Sequence, residues 1–233
     1  MHFLITNDDG IDAPGLQALT RAVETLGSKV TIVAPATEQS MCGHRVTTHS
    51  PLRVEQRGPH HHAVHGTPAD CVRIALFGLN LKPDWVLSGI NQGGNLGQDT
   101  IISGTVAAAR EATYHGVRAM ALSHYIINSI AIDWDRIAHW TRELLPELQV
   151  QPLDPHSFWN VNFPHHPPAP RPLPERAHCQ PARSPLNVSF RSESKVDATL
   201  YHYTARYGER PQDERSDVEM CFSGRVAVSR LFI

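Results

Sequence analysis

The first 155 residues alternate between short apolar runs and segments with helical spacing, and this alternation restricts the fold more than any other feature of the chain. The apolar runs have the length of strands and carry β-branched residues, as strands buried on both faces do. They cover residues 2–6, 29–35, 84–90 and 117–123. The pattern predicts an α/β fold with a mostly parallel sheet and helices on both faces of that sheet.

The chain changes character after residue 155, so we divide it into a core, 1–155, and a C-terminal extension, 156–233. The extension begins with a strand-like segment, FWNVNFP, which is followed by a proline-rich connector at 165–176. Two later runs, 186–193 and 199–207, alternate like the strands of a β-hairpin. Because an isolated hairpin is marginally stable, we expect the extension to complete the core and to mediate a homodimer or homotetramer. A hairpin folded back on its own domain is the alternative.

Charge and composition exclude several classes of protein. The net charge is −2 and the basic residues are scattered, which argues against binding to nucleic-acid polymers. The apolar runs are too short to span a bilayer, and no signal peptide precedes the first strand. The four cysteines form no CxxC pair, as expected of reduced thiols. We therefore expect a cytoplasmic protein without membrane partners.

Two adjacent carboxylates, Asp8 and Asp9, stand directly after the first predicted strand and before Gly10. Ligands of open parallel sheets bind beyond the carboxyl ends of the strands, and a turn at Gly10 lets both side chains approach one point. Two converging carboxylates are tolerated if a cation lies between them, and oxygen ligands suit a hard divalent ion. The competing interpretation is capping of the strand-to-helix turn, for which Asp12 stands closer. We favour a metal site at Asp8 and Asp9.

Further polar residues follow the second strand and the strand at 84–90. Ser40 and His44 follow the second strand, and Asn91 and Asn95 follow the other. Because neighbouring parallel strands end at the same rim of a sheet, we expect these side chains to surround the two aspartates. A substrate contact or a proton-transfer role for His44 is as plausible as a structural role.

A glycine-rich segment, NQGGNLGQD at 91–99, precedes a predicted helix that begins at Ser103, Gly104 and Thr105. Glycines allow the backbone to approach a ligand closely. The free N–H groups and the positive dipole end of a helix start bind anions, and capping of the helix by Ser103 uses the same geometry. These residues are candidates for phosphate binding.

Other conspicuous side chains have simpler explanations. His60, His61 and His62 lie at the tip of a predicted hairpin around 58–59, where a solvated surface explains them better than a metal site. Trp134 and Trp140 do not share a helical face, so we expect one of them in the core.

Five segments in roughly the first 125 residues, taken in their order along the chain, match the motifs of one known family. They are ITNDDGIDAPG, VAPATEQSMCGH, GTPADCV, SGINQGGNLGQD and SGTVAAAREA. Together they closely resemble the SurE family, the stationary-phase survival proteins, and such a set is highly specific. The late segments WNVNFP and GRVAVSRLFI resemble the family more loosely. The resemblance implies a Rossmann-like three-layer αβα sandwich plus a C-terminal β-hairpin extension that exchanges between subunits.

The resemblance also implies an activity and a set of site residues. Members of the family are metal-dependent nucleotidases that act on nucleoside 5′- and 3′-monophosphates and sometimes on polyphosphate. One divalent cation, Mg²⁺, Mn²⁺ or Co²⁺, would serve as cofactor. Matched by motif, its ligands would be Asp8, Asp9, Ser40 and Asn91. Asn95 and residues 103–105 would line the phosphate side.

The predicted function is therefore hydrolysis of nucleoside monophosphates, with Asp8, Asp9 and Asn91 as catalytic residues. The general base stays open between Asp9, His44 and hydroxide on the metal. A non-catalytic nucleotide-binding or sensing module is the main alternative, although it would not need two carboxylates at the end of the first strand. A metal-dependent deacylase is a third possibility, but that chemistry usually recruits histidine ligands for zinc, and none adjoins NDDG.

Overall fold

A computed structural model describes residues 1–167 and 172–233, and over these residues the chain forms one large sheet and one separate hairpin. The strands are β1 (His2–Thr6), β2 (Lys29–Pro35), β3 (Val54–Gly58), β4 (His61–Val64), β5 (Trp85–Gln92), β6 (Arg118–His124), β7 (Ser157–Phe163), β8 (Arg176–Cys179), β9 (Phe190–Ser194), β10 (Thr199–Tyr203) and β11 (Val226–Phe232). Nine of these described strands make the large sheet, in the order β3-β4-β2-β1-β5-β6-β7-β11-β8. The pairs from β4 to β7 are all parallel, while β3 and β11 join their inner neighbours antiparallel. The predicted mostly parallel sheet is confirmed.

Helices cover both faces of this sheet. They are α1 (Pro14–Glu24), α2 (Pro68–Arg73), α3 (Asp99–Ile102), α4 (Gly104–Tyr114), α5 (Trp134–Val150) and α6 (Asp217–Phe222). Helices α1 and α5 pack against each other on one face, and α2 and α4 pack together on the opposite face. Trp140 of α5 is fully buried in the first of these layers, as predicted for one of the two tryptophans. The fold is the expected three-layer αβα sandwich.

The N-caps of two helices can be compared with the capping residues that the sequence predicts. Thr67 caps α2 reciprocally with Asp70: the Asp70 N–H donates to Thr67 Oγ1 at 3.2 Å and the Thr67 N–H donates to Asp70 Oδ2 at 3.0 Å. Helix α1 begins at Pro14 as predicted, but its N-cap is Ala13, which makes no side-chain capping bond. The idea that Asp12 caps this turn is wrong, because its carboxylate accepts a bond from Arg57 at 2.8 Å instead.

The C-terminal extension contributes to the same sheet. Strands β7 and β11 pair antiparallel next to β6, and β8 adds a parallel edge strand that the sequence pattern did not predict. The hairpin β9–β10 forms as predicted, pairing Phe190 with Tyr203 at one end and Ser194 with Thr199 at the other. Its side chains are largely exposed. Of the predicted proline-rich connector, residues 168–171 lie outside the described residues.

Candidate active site

The two adjacent aspartates lie at the carboxyl end of β1, where the ends of β2 and β5 also open. The loop after β2 contacts Asp8, since the Gln39 N–H donates to the Asp8 carbonyl at 2.7 Å. The end of β5 contacts Asp9, since the Gln92 N–H donates to Asp9 Oδ2 at 3.0 Å. A cleft of about 290 Å³ lies here and is lined in part by Asp9, Ser40 and Gln92. The predicted rim thus brings the three loops together.

Asp8 is buried against the start of α4. Only 4% of its surface is exposed, and its Oδ1 accepts a short 2.5 Å hydrogen bond from Thr105 Oγ1. Burial raises the pKa of Asp8 to about 6, despite that hydrogen bond, and the negative charge of Asp9 adds to the rise. Gly104 permits this contact, because a Cβ at that position would lie 2.8 Å from the Asp8 Cβ and 3.0 Å from Cys42 Sγ. The helix start and the carboxylate are therefore in direct contact.

Asp9 lies nearer the open cleft and has a second carboxylate close by. Burial raises its pKa, and the charge of Glu38 raises it further against the hydrogen bond from the Gln92 backbone. Ser40 Oγ donates to Glu38 Oε1 at 2.6 Å, so the hydroxyl oxygen keeps its lone pairs for another partner. Glu38 was not among the predicted site residues, although its place two residues before Ser40 in the same rim loop is a signal that could have found it.

Asn91 is the last residue but one of β5 and does not lie in the loop beyond the strand. Its Nδ2 donates to the Gly93 carbonyl at 2.9 Å. With the amide nitrogen used in this way, the amide oxygen is the atom left to act as a ligand. Asn91 precedes Gln92, whose backbone holds Asp9, so Asn91 and the acidic pair belong to the same part of the rim.

Two side chains at the helix start, residues 103–105, make different hydrogen bonds. Ser103 caps α4, because its Oγ accepts from the Val106 N–H at 3.1 Å. The Thr105 hydroxyl donates to Asp8, and the Thr105 backbone N–H also acts on this carboxylate and lowers its pKa, so both groups face Asp8. The N-terminal end of α4 also supplies a positive dipole beside Asp8, which favours the binding of an anion.

Asn95 is only 6% exposed and lies in a buried polar network. Its backbone N–H donates to Asn162 Oδ1 at 2.8 Å, and its Nδ2 donates to Ser123 Oγ at 2.8 Å. Its carbonyl accepts bonds from the side chains of Asn160 and Asn162. These contacts fix Asn95 below the rim, and its predicted phosphate contact stays a prediction.

His44 lies away from the aspartates, on the side of α4. Its Nε2 is 2.6 Å from Glu111 Oε2, and the same carboxylate binds Arg73 and His115. Glu111 is seven residues after Gly104, which places it about 10 Å along the helix from the contact with Asp8. His44 thus links the rim loop to α4, and its predicted substrate contact stays a prediction. His60, His61 and His62 lie on the β3–β4 hairpin, as expected, with His60 and His61 exposed.

The donor set fits a hard divalent cation. Two carboxylates of raised pKa, a serine hydroxyl and an amide oxygen meet at one rim, and a cation relieves the repulsion that Asp9 exerts on Asp8. Among residues 1–167 and 172–233, no group of three or more His, Cys, Asp or Glu is arranged to hold a metal. The described part of the chain therefore lacks the side-chain cluster expected of a zinc site.

A mostly parallel sheet, helices on both faces and an acidic rim beside a helix start define a Rossmann-like α/β protein with an oxygen-lined site. Residues 3–182 match the sequence profile of the family described as Survival protein SurE. The chain belongs to the SurE family.

Relatives and a solved structure agree with that assignment. A putative 5′-nucleotidase of Nostoc sp. is 46% identical over 99% of both chains. The 5′-nucleotidase SurE 1 of Burkholderia lata is 39% identical over 98% of this chain and 89% of its own length. The crystal structure of the SurE protein from Aquifex aeolicus superimposes with a TM-score of 0.87, at 29% identity, over 100% of this chain and 93% of that chain.

Proposed function

We propose that this protein is a 5′-nucleotidase, a phosphomonoesterase that hydrolyses nucleoside 5′-monophosphates, and also 3′-monophosphates, with one divalent cation. Its family and the names of its relatives support the nucleotidase activity. The observation that carries the metal dependence is Asp8, which is held buried beside Asp9 and in contact with the start of α4. A buried pair of like charges lowers stability unless a cation compensates it.

In this proposal Asp8, Asp9, Ser40 and Asn91 hold the cation. Mg²⁺, Mn²⁺ and Co²⁺ all suit these oxygen ligands. Neutralisation of phosphoryl charge and activation of water are the chemistry that such a cation supplies.

The chain itself positions the reactants. Thr105 holds the Asp8 carboxylate in one orientation through its 2.5 Å hydrogen bond. The N–H groups at the start of α4 bind phosphate oxygens next to Asp8, where the helix dipole favours negative charge. Gly104 keeps the two groups in contact because it has no side chain to separate them. Catalysis in this arrangement is mainly orientation and electrostatic stabilisation.

The two rival functions are less well supported. A sensing module needs the helix start to bind a nucleotide, but it gains nothing from two repelling carboxylates in the same site. A deacylase that uses zinc needs histidine or cysteine ligands, and no such cluster is present among the described residues.

Release of inorganic phosphate from 5′- and 3′-nucleoside monophosphates, with Mn²⁺ or with EDTA, tests the proposal. We expect turnover with Mn²⁺, loss of turnover with EDTA, and loss in Asp9→Asn. The matched control is Asp12→Asn, which removes a carboxylate whose side chain is 83% exposed and paired with Arg57. Nucleotide binding without turnover would contradict the proposal and favour the sensing module.

We also propose an oligomeric state and a cellular location for this protein. The hairpin exposes Phe190, Leu200, Tyr201 and Tyr203, which form too small a core to stand alone. We assign this surface to contacts between subunits in a homodimer or homotetramer. Four free cysteines, three of them buried, agree with a cytoplasmic location. No described helix has the length and hydropathy needed to cross a membrane.

A further inference from the structure

The glycine-rich loop, residues 93–99, connects the two halves of the proposed site. It begins two residues after Asn91 and ends at Asp99, the first residue of α3. Helix α3 leads to Gly104, which packs on Asp8. The loop and α3 therefore form the chain connection between the end of β5 and the start of α4. Several residues of the loop contact the segment 186–210, which we call the hairpin arm.

Tyr207, just beyond the hairpin, binds the loop through its hydroxyl. The Tyr207 OH donates to Asp99 Oδ2 at 2.7 Å and lies 3.3 Å from the Gly94 carbonyl. Burial and the negative charge of Asp99 raise the pKa of Tyr207, so the hydroxyl stays protonated as a donor. A Cβ at Gly94 would lie only 3.1 Å from that hydroxyl oxygen. One tyrosine thus joins both ends of the loop.

Arg210 contacts the same loop and also packs against the ring of Tyr207. Its side chain is only 3% exposed, and Nη1 donates to Asp99 Oδ2 at 2.6 Å while Nη2 donates to the Leu96 carbonyl at 3.1 Å. The guanidinium also lies 4.6 Å from the centre of the Tyr207 ring. Because the charge is buried, the removal of either partner would leave the other charge uncompensated.

The other end of the arm meets the loop as well. The Leu186 N–H donates to Gln98 Oε1 at 3.1 Å. The β9–β10 hairpin therefore leaves and returns to the protein at the glycine-rich loop, and the exposed part of the arm lies between these two contacts.

We propose that Tyr207 and Arg210 are positioning residues for the phosphomonoesterase reaction. They act through Asp99, which they hold so that the end of β5 and the start of α4 keep the spacing that the substrate phosphate requires. This inference rests on the proposed function, and it adds that the arm sets the geometry of the site as well as the contacts between subunits.

The test compares Tyr207→Phe with Tyr201→Phe, the same change elsewhere on the arm. Tyr201 is 69% exposed in the subunit and its ring packs against the arm residue Phe190, and Tyr201→Phe keeps the ring that the proposed subunit contact uses. Steady-state kinetics with a nucleoside monophosphate and Mn²⁺ are combined with hydrogen–deuterium exchange of peptides that cover residues 93–99. We expect Tyr207→Phe to lower kcat about tenfold with little change in KM, as loss of a positioning contact does. We also expect faster exchange in the loop and unchanged exchange in β1. Arg210→Lys keeps the charge but cannot reproduce both hydrogen bonds and the stacking on Tyr207, so we expect it also to lower kcat and to raise exchange in the loop.

Wild-type kcat and wild-type exchange in Tyr207→Phe would overturn the inference, as would an equal loss in Tyr201→Phe. A kcat loss with exchange raised throughout the sheet would indicate general destabilisation and would also contradict it. If the wild-type protein releases no phosphate, the proposed function fails. The exchange comparison then still decides whether Tyr207 holds the loop.

Discussion

Replacement of Glu111 by glutamine tests how the rim loop is joined to α4. The Glu111 side chain is only 3% exposed, and it accepts from Arg73 Nε at 2.5 Å, His44 Nε2 at 2.6 Å and His115 Nε2 at 2.9 Å. Burial alone would raise the pKa of Glu111, but these three partners outweigh it and lower the pKa from 4.5 to about 2. The ionised carboxylate therefore stabilises the folded protein.

The magnitude follows from the difference between the two pKa values. At about 1.4 kcal/mol per pH unit, a fall from 4.5 to about 2 corresponds to roughly 3 kcal/mol of unfolding free energy. This is an upper limit, because Arg73, His44 and His115 are partly exposed and solvent screens their charges. Because the folded pKa lies below the unfolded one, the contribution is present above about pH 4.5 and is lost as the pH falls through about 2. Roughly half of it remains at pH 3.

Urea denaturation of wild type and Glu111→Gln at pH 6 and pH 3 measures this contribution. We expect the variant to lose about 2 to 3 kcal/mol at pH 6 and about half as much at pH 3. Glu147→Gln is the control, since Glu147 pairs with Arg176 at the surface and its removal should cost less than about 1 kcal/mol. A loss at pH 6 no larger than that of the control, or a loss that does not change with pH, would refute the reasoning.

Three other predictions concern the site and the assembly. Asp8→Asn should abolish phosphate release, yet its melting temperature in EDTA at neutral pH should equal or exceed that of wild type, because burial disfavours the Asp8 charge; a clear fall in that temperature would contradict this account. Asn91→Ala should raise the Mn²⁺ concentration needed for half-maximal activity more than it raises KM, and a change in KM alone would make Asn91 a substrate contact instead. Deletion of residues 188–204 should lower the sedimentation coefficient from an oligomer to a monomer, and a monomeric intact chain at micromolar concentration would oppose the assembly proposal.

The sequence predicts those parts of the molecule that depend on neighbouring residues or on a regular period. The first strand, the Thr67–Asp70 capping pair and the start of α4 follow from spacings of a few residues. The common rim follows from one rule about parallel strands, and it places Asp8, Asp9 and Ser40 around the same end of the sheet. Local patterns thus account for the core and for the acidic site.

Contacts between distant residues are the part that the sequence does not predict. Arg210 and Asp99 are 111 positions apart, and no local pattern pairs a buried arginine with that particular carboxylate. The edge strand β8 is only four residues long and gains its place from pairing with β11, far along the chain. His44 shows the same limit, since its partner Glu111 becomes adjacent only once α4 packs on the sheet. These features arise from tertiary packing rather than from local preference.

The close contact at Gly104 limits how this enzyme can be changed by mutation. Within a helix, alanine is a better helix former than glycine by up to about 1 kcal/mol, so helix propensity alone gives no reason for glycine at Gly104, the first residue of α4. A methyl group there would lie 2.9 Å from Asp8 Oδ2, and the carboxylate would have to move. A library that allows every amino acid at position 104 should therefore return glycine under selection for phosphatase activity. The site thus keeps a poor helix former here, and we expect laboratory evolution towards a more stable α4 to leave this position unchanged.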